Sequence, residues 1–174
     1  MTPDNEKRLA SDVGFAGDPV DYARFAERFA AWSAEIERAA DEHGQPLNEQ
    51  MTAIARAVGV RRPERIRLQL VEEIPFPWDD PELTRMGRQL GLVGEGIRGN
   101  AQIFGYAVLS VPSYARSPEK MAHEFVHVMQ VEREGSFEAF VRRYLTEVRD
   151  FGYRQAPLER EAYAANERFS KNKP

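Results

Sequence analysis

Apolar residues recur along most of this chain at steps of three and four, the period of a helix with one buried face. Tyr22, Phe25, Phe29, Trp32, Ile36 and Ala39 follow Asp18-Pro19, a cap and a proline, and predict a long helix that runs to His43-Gly44. An aromatic stripe at that spacing is expected to face a core rather than a ligand. Leu47, Met51, Ile54, Ala55 and Val58 predict a second helix within 46–58, ended by Gly59. The period then changes. From Arg65 to Val71, charged or polar residues alternate with aliphatic ones, as in a half-buried strand, and Arg61-Arg62 before it read as a solvated turn.

Asp80-Pro81-Glu82 opens a short helix carrying Leu83, Met86 and Leu90. Gly91, Gly94, Gly96 and Gly99 follow and predict a hairpin or flexible flap; no Lys-Ser/Thr comes after them, which excludes a phosphate-binding loop. Residues 101–111, rich in β-branched and aromatic side chains, predict a second strand stopped by Pro112. At an edge, such a strand could pair with an extended peptide; equally, it could simply cover the next helix. That helix has strong local signals: Ser117 as cap, Pro118 at the first position, Glu119 at the positive end of the dipole, and Gly135 as terminator. Phe137 to Phe151 predicts another amphipathic helix, with Arg142 and Arg143 on its solvated side, and a turn-rich connector leads to a last helix from Pro157 to Phe169. The fold class expected is α+β: a predominantly helical single domain over 18–170, with a small sheet against the 117–135 helix, a polar lead-in at 1–17 and a tail at 171–174.

Composition narrows the chemistry. At 174 residues the chain can bury a core without staples, and having no cysteine it can hold a metal only through histidine and carboxylate. A net charge of −4 argues against a nucleic-acid footprint, and no window is apolar enough to span a membrane. The N-terminus has no basic region followed by an apolar stretch, so a cytoplasmic location is expected. Nothing in the pattern signals an oligomeric state.

Two of the three histidines stand four apart in His123-Glu124-Phe125-Val126-His127. On a helix, that spacing stacks both imidazoles on one face, where they can share one ion while Glu124 sits beside it without binding. A catalytic zinc takes three protein ligands and leaves a position for water, which an adjacent carboxylate can deprotonate. Glu124 is therefore the candidate general base, and a third ligand must come from a carboxylate or from His43. His43, beside Gly44, reads instead as a favourable charge at a helix end. The last helix offers Glu159 and Glu161.

The strings His-Glu-Phe-Val-His-Val-Met-Gln (123–130) and Gly-Tyr-Arg-Gln-Ala-Pro-Leu-Glu-Arg-Glu-Ala-Tyr (152–163) resemble gluzincin-type zinc metallopeptidases, and in particular small bacterial proteins of that type. The resemblance implies a minimal zincin-like fold, one zinc ion and a peptide or protein substrate. It places the third ligand four residues before an aspartate of the second motif, a register that falls on Glu159, with Glu161 as the alternative. Tyr163 stands where that aspartate would orient a ligand histidine, a departure that bears on metal affinity. Tyr153 is the candidate donor to an oxyanion, with Tyr106, Tyr114 and Tyr163 as rivals. Two other functions stay open: a zincin-like module that binds metal or partners without turnover, and a hydrolase of a non-peptide amide.

Overall fold

The computed structural model describes residues 20–170; the lead-in at 1–17, Asp18-Pro19 and the tail at 171–174 lie outside the described residues. Seven helices and four short strands are formed among them: α1 (Tyr22–His43), β1 (Gln45–Pro46), α2 (Glu49–Ala57), β2 (Arg67–Leu70), α3 (Pro81–Gln89), β3 (Ala101–Phe104), β4 (Ala107–Ser110), α4 (Pro112–Ala115), α5 (Pro118–Glu134), α6 (Phe137–Phe151) and α7 (Pro157–Ser170). This is the α+β arrangement expected from the sequence. The sheet order is β1-β2-β4-β3, parallel between β2 and β4 and antiparallel elsewhere. No helix among the described residues is long and apolar enough to cross a membrane.

Local chemistry explains most element boundaries. Ser117, Asn48, Asp80 and Ser136 each accept a backbone N–H in the first turn of the helix that follows, and Gly135 ends α5 in the left-handed conformation at φ 88°. The first helix starts later than its sequence suggests. Asp21, not Asp18, caps it, taking the Arg24 N–H at 3.0 Å.

The 101–111 stretch is a hairpin rather than one strand. Gly105, at φ +64°, turns the chain between β3 and β4, and a Cβ there would stand 2.4 Å from the Glu37 carboxylate that accepts the Tyr106 N–H at 2.8 Å. The glycine-rich 91–99 segment, expected as a hairpin or flap, forms turns and contributes no strand. After Val111 the chain does not simply break at Pro112 but makes one helical turn, α4, with proline at its first position.

The aromatic stripe of α1 is core. Phe29 stacks on Phe25 and meets Trp32, Phe76, Phe104 and Phe137 with ring centroids 5.3–6.3 Å apart. The axis of the domain, however, is α5. Met121, Ala122, Phe125, Val126, Val128 and Val131 are all buried, and so are its polar residues His123, Glu124, His127 and Gln130. The helix is covered by α2, α6, α7, α4 and β3, with α7 packed along it most extensively. Over 121–128 every residue of this helix is buried, so the polar side chains of that stretch face protein rather than solvent.

Arg61 and Arg62 do expose their side chains, yet the turn is held from within. The nearly buried Glu132 carboxylate of α5 accepts both of their backbone N–H groups, at 2.7 and 3.1 Å, and the Tyr106 hydroxyl at 2.8 Å.

Candidate metal centre

The one-turn spacing on α5 puts His123 and His127 side by side, with Nε2 atoms 3.2 Å apart. Glu159 enters from α7. Its Oε2 lies 3.3 Å from His123 Nε2, and its Oε1 lies 3.5 Å from His127 Nε2. The three side chains are 5%, 7% and 1% exposed, and they are the group of potential metal ligands found among the described residues.

These separations suit an ion. Four ligands around zinc, at about 2.1 Å each in a tetrahedron, are about 3.4 Å from one another. A second observation agrees: Glu159 Oε2 is buried without a hydrogen-bond donor, a costly position for a carboxylate oxygen unless a cation meets it. The protein's own charges already lean that way. Burial opposes a charged His127, but the Glu159 carboxylate beside it prevails and raises its pKa to about 9. Burial likewise opposes ionised Glu159, and the two histidines outweigh it, holding its carboxyl well below the usual range.

Two helices deliver Glu159 to this point. The Glu147 carboxylate of α6 accepts the Leu158 N–H at 2.8 Å, fixing the start of α7, and Tyr144 of α6 donates its hydroxyl to Glu159 Oε1 at 2.6 Å. Burial and the nearby carboxylate raise the Tyr144 pKa, so it stays a donor. Glu161 points elsewhere. It pairs with Arg133 through two contacts of 2.9 and 3.0 Å and accepts from Gln130 Nε2 at 2.8 Å. The carboxylate brought to the imidazoles is thus Glu159. His43 ends α1 in solvent, with a side chain 75% exposed.

Glu124, 6% exposed, sits next to His123 on the helix, and its Oε1 accepts the Tyr114 hydroxyl at 3.0 Å. Tyr114 comes from α4, the turn that the sequence did not suggest. Its pKa is raised by burial and then by Glu124, which keeps the proton on the tyrosine. Burial, and after it the Glu159 charge, raise the Tyr153 pKa, which keeps its hydroxyl protonated. Tyr106 is committed to Glu132, apart from these groups.

The surroundings of the two imidazoles differ. Tyr163 lies edge-on to the His123 ring, with centroids 4.8 Å apart, and His123 Nδ1 is buried without a hydrogen-bond partner. His127 Nδ1, in contrast, meets Gln130 Oε1 at 2.8 Å. Neither Gln130 nor Tyr144 stands out in the sequence. The available signals were Gln130 three residues after His127, on the same helix face, and a hydroxyl at position 144 within an apolar stripe.

β3 does occupy the sheet edge beside α5. The Val111 N–H bonds to Asn100 O, so by alternation the backbone groups of Ala101 and Ile103 face away from β4. Those residues are only 9% and 4% exposed, which leaves little open edge for an extended peptide. Comparison of the chain with protein-family models, with curated proteins and with solved structures finds no match.

Proposed function

We propose that the protein is a metal-dependent hydrolase of an amide bond, most simply a peptide bond, with one zinc ion held by His123, His127 and Glu159. The observation that carries this reading is the convergence of these three donors from two helices, with Glu124 one residue from the first of them. The gluzincin resemblance of the two motifs belongs to the same proposal.

A zinc ion in this position supplies Lewis acidity and brings the pKa of a water towards neutrality. Glu124 takes the proton from the attacking water and returns it to the leaving amine. Tyr114 donates to one oxygen of Glu124, leaving the other for that transfer. Tyr144 holds the Glu159 carboxylate in place, and Tyr153 is the proposed donor to the developing oxyanion. Two imidazoles and one carboxylate also suit ferrous iron, so metal analysis accompanies every activity assay.

Glu124→Gln tests the mechanism, because it preserves shape while removing the base. The variant is expected to keep its metal and lose amide hydrolysis by two orders of magnitude or more, about the contribution of a general base. A variant that binds metal and hydrolyses at the parent rate contradicts the proposal.

Burial favours a second reading. Glu124, His123 and His127 are nearly inaccessible, as in a metal site that supports the fold without turnover. Against this stands the ligand count, since structural zinc sites are closed by four protein donors and three leave a position open. A parent protein that binds metal but cleaves no member of a peptide and amide library supports the non-catalytic module.

A further inference from the structure

We infer that Gln130 is the positioning residue of the metal centre: its side-chain amide sets which nitrogen of His127 faces the ion, and Glu161 with Arg133 holds that amide the right way round. The inference deepens the metal-site reading and rests on it for the affinity effect, though not for the state of the ring.

Gln130 is fully buried on α5, and its amide meets three groups. Its Nε2 lies 2.9 Å from the Leu158 carbonyl and 2.8 Å from Glu161 Oε2, and its Oε1 lies 2.8 Å from His127 Nδ1. The first two partners are acceptors only, so the end facing them must be the NH2, which donates to both. A flipped amide would set its oxygen against a carbonyl and a carboxylate at hydrogen-bond distance. Oε1 therefore faces His127. A carbonyl oxygen can only accept, so Nδ1 carries a proton and donates it whether the ring is charged or neutral, and the proton that an ion displaces is the one on Nε2. Nε2, the atom beside His123 and Glu159, is left as the metal-binding nitrogen.

The contacts at the two ends of the amide act differently. Arg133 grips Glu161 through two hydrogen bonds, so the acceptor on that side remains a carboxylate in place. The Leu158 carbonyl belongs to the residue just before Glu159, so the same amide that orients His127 also ties α7 to α5 where the third ligand enters. Glu161, the alternative ligand by sequence, thus keeps Gln130 from flipping instead of meeting the ion.

The test compares the parent, Gln130→Met, Glu161→Ala and the double swap Gln130→Glu/Glu161→Gln. In the swap, residue 130 still accepts from His127 and now accepts from residue 161, while its donation to the Leu158 carbonyl is lost, so the swap reads the ring contact separately from the tie to α7. Two quantities are measured: hydrogen exchange of the His127 Nδ1–H by 15N-edited NMR on metal-free protein, and zinc affinity by competition with a chromophoric chelator. The Nδ1–H is expected to exchange slowly in the parent and the double swap, and fast in Gln130→Met. Zinc should bind about 10- to 100-fold more weakly to Gln130→Met, and within about tenfold of the parent in the double swap and in Glu161→Ala.

A slow Nδ1–H in Gln130→Met, or zinc binding there within twofold of the parent, overturns the inference. So does abolition of binding by Glu161→Ala, which would make Glu161 a ligand. Should Gln130→Met not fold, the double swap decides, since a folded swap with a fast Nδ1–H refutes the role. If the parent binds no zinc at all, the metal reading fails by itself, and the exchange pattern still confirms or refutes how the ring is held.

Discussion

Removing the hydroxyl of Tyr144 isolates the cost of holding Glu159 inside the protein. Tyr144→Phe keeps the ring that packs against His127 and Phe140 and deletes one donor to a carboxylate that is 1% exposed. The bond is short, 2.6 Å, and its acceptor carries a charge. Hydrogen bonds to charged groups contribute about 1.5–3 kcal/mol, and a buried acceptor left unmet loses that in full. Glu159 Oε2 already lacks a donor, so the variant strips hydrogen-bond donors from both oxygens and leaves the histidines as their only counter-charge. Metal-free Tyr144→Phe is expected to be about 2 kcal/mol less stable in urea denaturation with chelator present, with a Tm lower by about 4–8 °C. Saturating zinc should recover part of that loss, because the ion meets the same carboxylate. A change below about 0.5 kcal/mol without metal, or an equal loss with and without zinc, would refute the reasoning.

Three further outcomes are expected. His127 has its pKa raised to about 9 from 6.5, so its pairing with Glu159 stabilises the metal-free protein fully below pH 6.5 and is lost as pH rises through about 9. Glu159, with its pKa lowered, contributes above its ordinary 4.5 and loses that contribution as pH falls. Denaturation in chelator should therefore show a stability maximum between about pH 4.5 and 6.5 and a fall on the order of 3 kcal/mol towards pH 9 and above; a flat profile contradicts the pairing. Zinc must displace the His127 proton below pH 9, so apparent affinity should climb up to about tenfold per pH unit between pH 6 and 8, and pH-independent binding would show that this ring is no ligand. Phe125→Ala opens a cavity in the middle of α5, where the ring is 0% exposed, and should cost about 3–5 kcal/mol; a loss under 1 kcal/mol would mean that α5 is not the axis of the core.

Much of this was legible in the sequence because local signals and periodicity agreed. The 117–135 helix shows its cap, its first-position proline and its terminal glycine, and all three do what residues of those types do. Glu159 was favoured over Glu161 only by the register of a resemblance, and it is α7 that brings its carboxylate beside the imidazoles. The 101–111 stretch reads as one continuous strand because Tyr106, at the hairpin tip, is itself a good strand residue, and only Gly105 marks the turn. β1 is two residues long and includes a proline, and α4 is a single turn, so neither is long enough to show a period. Gln130 and Tyr144 stay hidden for another reason. Their roles depend on α5, α6 and α7 meeting, and a polar group on a buried face has no meaning in sequence until its partner is in place.

The central claim, that His123, His127 and Glu159 hold one ion while Glu161 does not, is tested most directly by metal content. Elemental analysis of the purified parent, His127→Ala, Glu159→Ala and Glu161→Ala after dialysis against trace zinc should give one zinc per chain for the parent and Glu161→Ala and none for the other two. A parent without metal, or a Glu159→Ala variant that retains its ion, would contradict the account.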